Sequence, residues 1–231
     1  AIVLCDWSSD VCSSDLFYGA ISVNNSYLQN NGRIHVYGTL TPSGTGSITG
    51  SDQIFIYGSS SSEGTNSIAN KSGTLELFGP VEYLKGGISN RGTMVFHNDL
   101  ALCSYDGENI RGSYHNHPDA HTDFLGAVTI SGGELANSST ADFQKEVTLS
   151  GGYLFTGGTA DFQKEVTVSG GYLYNNGTAD FYGAVRVESG EVSLGFDHPE
   201  STTTNFHEAV TVSGGELKNW GTVTILEGLI T

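Results

Sequence analysis

Apolar residues mark this chain at a nearly fixed interval. With Phe143 and Phe162 as the reference pair, equivalent residues stand at Phe17, Val36, Ile56, Leu77, Phe96, Phe124, Phe143, Phe162, Phe181, Phe206 and Ile225. The steps between them are 19, 20, 21, 19, 28, 19, 19, 19, 25 and 19 residues. A period of that length denotes a solenoid, in which one coil buries its apolar face only when the next stacks on it. Within a coil the apolar pattern alternates, which is a strand signal. Ala141, Ala160 and Ala179 lie two positions before their anchors, while Val147 and Leu149, Val166 and Val168, and Val185 and Val187 follow the next corner. Leu135, Leu154, Leu173 and Val192 supply a third inward position after a Gly-containing step. Three short strands per coil, separated by Gly or Asn corners that tolerate positive φ, predict an all-β, single-stranded parallel β-helix (a β-solenoid). It has about eleven coils on a 19-residue basic period, and the general preference of parallel crossovers makes it right-handed.

Two steps break the period. Nine extra residues fall between Phe96 and Phe124, and six between Phe181 and Phe206. Both excursions carry His-Pro-acid, as His117-Pro118-Asp119 and His198-Pro199-Glu200. The pattern places them at the same corner of the rod, four coils apart, or about 19 Å at the usual strand spacing. The corners between them are short, so the sequence predicts a shallow trough with two walls.

Composition narrows the classes of function. The 231 residues hold 32 Gly and 4 Pro and carry a formal charge of -16. So few basic residues exclude a phosphate-binding face, and with it nucleic acid. No apolar run is long enough to span a membrane. Asp6–Leu16 resembles a translated sequencing-library adaptor. Residues 1–16 are therefore set apart as a non-native N-terminus or assembly artefact. Residues 17–231 are read as the β-helix, expected to be a fragment of a longer protein. That division removes Cys5 and Cys12 and leaves Cys103 alone, with no disulfide framework.

Outward positions hold the candidate chemistry. Strand alternation turns Tyr153, Phe155, Tyr172 and Tyr174 outward, where other coils carry Glu134, Ala136, Glu191, Ser193, Glu216 and Lys218. Such a patch suits sugar rings, apolar partners or another copy of the chain, and equally suits cross-rung stacking. His117 and His198, on the trough walls, complete the ligand-binding candidates. A second aromatic column, Tyr18, Tyr37, Tyr57 and Phe78, reads as a packing ladder. Asp123, Asp142, Asp161 and Asp180 form an outward carboxylate column that makes calcium a possible cofactor. His115, His117 and His121, with Asp119 nearby, are a second set of metal-ligand types. Acids about 5 to 9 Å apart also serve glycosidases, but a ladder supplies that separation at every rung, so no catalytic residue is assigned.

The pattern Val-Thr-Val-Ser-Gly-Gly-x-Leu in Val166–Leu173, with Asn176-Gly177-Thr178 after it, resembles the β-helical passenger domains of bacterial autotransporter adhesins. It is also similar to the 19-residue coils of filamentous-haemagglutinin-type proteins. The resemblance implies an extracellular or cell-surface bacterial protein engaged in non-catalytic adhesion or self-association. Its implied partner is a surface glycan or another copy of itself. A polysaccharide-active lyase or glycosidase and a purely structural rod or filament subunit are the alternatives.

Overall fold

A computed structural model of the chain describes residues 15–24, 27–30, 33–43, 47–50, 53–58, 60–62, 67–83, 86–103 and 112–230. Of the adaptor-like stretch, residues 6–14 lie outside the described residues, as do Cys5 and Cys12. The described residues form strands and no helix, so none is long and apolar enough to cross a membrane as a helix.

The anchor positions become one parallel sheet of eleven strands, from Asp15–Phe17 to Thr222–Ile225. Register follows the sequence period: Phe143 pairs with Phe162 and Phe162 with Phe181. Their rings stack inside the rod at 4.5 Å between centroids on both sides of Phe162, within 9° of parallel. The stack runs from Phe96 to Phe206. Each of these rings is at most 1% exposed, which decides that the anchor column is core rather than surface.

The remaining strands form a second parallel sheet of seventeen strands. In the early coils it keeps two short strands per coil, such as Val81–Tyr83 and Gly86–Asn90. In the central coils these merge into ten-residue strands: Val128–Asn137, Val147–Thr156, Val166–Asn175 and Val185–Leu194. The corner expected at Gly-Gly is instead a bulge inside a continuous strand, marked by register shifts. Gly152, Gly171 and Gly190 take φ of 77, 73 and 82° there, a left-handed conformation that bends the strand and disfavours side chains.

Two further expectations are corrected. The rod makes about nine turns rather than eleven, because counting anchors overcounts enclosed turns. The last anchor, Ile225, packs against the core but is only partly buried, and Leu229 and Ile230 are exposed, so the final coil is incompletely covered. The two excursions also do not fall wholly at one corner. Most of the first separates Leu100–Leu102 from Gly112–Asn116, between second and third strands, and its residues 104–111 lie outside the described residues. Only the turn at 117–120 sits at the corner where the second excursion, 195–202, lies complete. The two His-Pro-acid turns do share that corner, but the trough's walls are unequal.

Asparagine forms a column inside the rod. Asn70, Asn90, Asn116 and Asn137 occupy equivalent positions on successive coils and are buried. Each side-chain amide donates to the next carboxamide oxygen, at 2.9, 3.0 and 2.8 Å. Thr156 takes the next place and donates to Asn175 at 2.9 Å. The amide groups also bind corner backbone, as Asn90 does at the His121 carbonyl and the Gly92 N–H. Buried polar corner groups are thereby paired without water.

Candidate functional site

The period-two alternation that buries Leu154 and Leu173 turns Tyr153, Phe155, Tyr172 and Tyr174 to the outer side of the second sheet. Register sets Tyr153 beside Tyr172, and Phe155 beside Tyr174. Tyr153 and Tyr172 stack at 5.3 Å and 13°, and Tyr172 lies parallel to Tyr174 at 5.9 Å. Tyr172 is the most open of the four, at 40% exposure. The Phe155 ring lies over Gly157, where a Cβ would meet it at 2.9 Å. All four sequence-predicted aromatics therefore form one outward group.

The patch has a charged border. Glu134 precedes Tyr153 in its column and Glu191 follows Tyr172. Lys218 bridges Glu191 at 2.7 Å and Glu216 at 2.5 Å. The Lys218 hydrogen bond holds the Glu191 carboxyl below its ordinary range. Partial burial, then the Glu191 charge and the two neighbouring tyrosines, pushes the Tyr174 phenol up, so it remains a neutral donor.

The two histidines predicted with this patch sit on turns. His117 Nε2 lies 3.0 Å from Ser89 Oγ. Burial, with Arg91 and His115 nearby, lowers the His117 pKa. His198 is exposed, and its carbonyl closes the second excursion by accepting from Ser201 N, Thr202 N and Thr202 Oγ1. That excursion is tied to the corner after Tyr174 by a 3.2 Å bond from Asn176 to Asp197. Asp197 and Asn176 thus join it to the patch, a link with no signal in the sequence because Asp197 lies in an excursion outside the repeat.

Asp123, Asp142, Asp161 and Asp180 lie on the first sheet instead, in one column on adjacent strands. Their partners are imidazoles at each end of the row. His121 Nε2 is 3.1 Å from Asp123 and 3.8 Å from Asp142, and His207 Nε2 is 3.1 Å from Asp180. Burial and like charge push the Asp161 carboxyl up, with Asp142 and Asp180 as the charged neighbours. Burial also raises Asp142, where Asp123 adds to the shift and His121 opposes it. His115 and His117 lie side by side with ring centroids 6.5 Å apart. The convergent donor group among the described residues is His121, Asp123 and Asp142. It draws one member from the histidine set and two from the carboxylate set.

At the corner that follows the same sheet, the early aromatic column is stacked as expected from Tyr18 through Tyr37 and Tyr57 to Phe78, at 5.1, 4.6 and 4.7 Å. It continues onto His97 at 4.0 Å, which in turn binds Glu76. Uninterrupted stacking on both neighbours marks it as a packing device.

The chain matches no protein-family model, no curated protein and no solved structure.

Proposed function

We propose that this solenoid is part of an extracellular bacterial surface protein that works by non-catalytic binding, in adhesion, with a surface glycan as its ligand. The observation that carries this reading is the Tyr153, Phe155, Tyr172 and Tyr174 group, set in columns that hold Glu134 and Ala136 on the coil before it and Glu191, Ser193, Glu216 and Lys218 on the two coils after it. Stacking turns the ring faces of Tyr153 and Tyr172 toward one another along the rod, so this pair offers ring edges and phenolic hydroxyls to the outside. Ring edges carry partial positive charge and the hydroxyls donate and accept, which suits the oxygen-rich edge of a sugar chain. The Glu134 border and the Glu191–Lys218 pair add charged hydrogen-bonding groups around it.

The test is binding of the chain to an immobilised glycan panel. A Tyr153→Ala/Tyr172→Ala variant is expected to lose at least about tenfold in affinity for any glycan the natural chain binds, the scale of a central aromatic contact. Unchanged binding in that variant would sink the proposal. Release of reducing or unsaturated ends from the polymer would favour a lyase or glycosidase instead. Concentration-dependent assembly without glycan binding would favour a structural rod.

A further inference from the structure

We propose that His121, Asp123 and Asp142 form a site for one divalent transition-metal ion of the zinc class, on the outer face of the first sheet. One nitrogen and two carboxylate oxygens converge there, all within 4.8 Å of one another. A tetrahedral ion with bonds near 2.0–2.2 Å holds its ligand atoms roughly 3.3–3.5 Å apart. The observed separations from His121 Nε2, 3.1 Å to Asp123 and 3.8 Å to Asp142, bracket that value. Small side-chain rotations therefore suffice to close the site.

The sheet supplies the rigidity. His121 and Asp123 alternate on the strand His121–Phe124, so both project from the same side. Asp142 is the register partner of Asp123 on the next strand. No loop has to order for the three donors to meet. The imidazole is also specific to this coil. In its column Thr93 precedes it and Thr140, Thr159, Thr178, Thr203 and Thr222 follow. Histidine replaces threonine where the carboxylate row begins, since Val95 holds the Asp position one coil earlier. Side-chain exposures of 36, 31 and 29% leave room for a water as fourth ligand.

Donor chemistry decides the ion. Calcium takes six to eight oxygens, and this group offers a nitrogen and few oxygens. Imidazole with carboxylate suits zinc, cobalt or nickel. The opposite end of the row provides an internal contrast. His207 and Asn205 both bind the same oxygen of Asp180, so that end has a single carboxylate already engaged by an amide.

The experiment is calorimetric titration of the full chain, stripped with chelator, using Zn²⁺, Co²⁺ and Ca²⁺, with visible absorption of the Co²⁺ form. About one Zn²⁺ per chain is expected, displaceable by Co²⁺, with much weaker Ca²⁺ binding. His121→Thr, which restores the residue of the neighbouring coils, and Asp142→Asn are each expected to weaken Zn²⁺ at least about tenfold. His207→Thr and Asp161→Asn are expected to retain it. Metal-free melting curves of the variants establish that each is folded. No Zn²⁺ binding, or unchanged binding in folded His121→Thr, would overturn the proposal. So would Ca²⁺ binding as tight as Zn²⁺, because a diffuse acidic row would produce that result.

Discussion

Placing a carboxylate at Phe162 is expected to abolish cooperative melting of the central coils. Phe162 is 1% exposed and stacks on Phe143 and Phe181 at 4.5 Å each. Truncating a buried Phe to Ala costs about 3–5 kcal/mol through lost transfer energy and a cavity. That is already a large part of the roughly 5–15 kcal/mol that stabilises an ordinary domain. Phe162→Asp adds the desolvation of a charge with no buried cation among the described residues to meet it. In a solenoid the damage spreads, because a coil is stabilised by its interfaces with the coils on either side. Thermal circular dichroism checks this directly, and a melting curve identical to the natural chain would refute the packing described for the anchor column.

Asn116→Leu is expected to be the next most damaging change. Asn116 accepts from Asn90 and Thr122 and donates to Asn137 and to the Thr140 carbonyl. Leucine keeps the bulk and strips the network from both neighbouring coils. Each buried group left unpaired costs about 1–3 kcal/mol, so the loss exceeds that of a single surface hydrogen bond several-fold. Asn116→Thr is expected to cost less, since Thr156 holds the equivalent place and donates to Asn175. Melting temperatures in the order natural chain, Thr variant, Leu variant support the ladder. Equal temperatures for the two variants contradict it.

The reach of the sequence is visible in which residues it placed. A strict period and alternation are enough to assign inward and outward positions, so Phe143, Phe162 and Leu154 were legible as core and Tyr172 as surface. The asparagine column was not, because Asn137 and Asn175 read as corner residues. Asparagine suits both a turn and an inward amide ladder, and only register between coils separates these roles. The Gly-Gly corners failed for a related reason. Gly171 permits positive φ in a bulge as readily as in a turn, and the composition is the same in either case.

The candidate sites divide in the same way. The aromatic patch lies on adjacent coils with simple alternation, and it could be read from the chain. The grouping of His121 with Asp142 crosses two coils and two residue classes. The sequence already set Asp123 beside Asp142, but it read His121 with His115 and His117. Only the strand His121–Phe124 carries the imidazole onto the carboxylate row. The link from Asn176 to Asp197 depends on how an irregular excursion folds back, which has no periodic signal.

The position of every outward residue depends on one coil per 19 residues in the central rod, and a cross-link reads that register directly. In a background with Cys5, Cys12 and Cys103 changed to Ser, Thr148→Cys/Thr167→Cys places thiols on register partners. Neighbouring strands about 4.8 Å apart fall within the usual disulfide span between Cα atoms, about 4.4–6.8 Å. Thr148→Cys/Arg186→Cys places them two coils apart, since Thr167 pairs with both, and beyond that span at about 9.6 Å. Mild oxidation followed by thiol counting and mass spectrometry is expected to show an intramolecular disulfide in the first pair and free thiols in the second. A disulfide in the second pair with free thiols in the first would contradict the stacking, and with it the placement of both candidate sites.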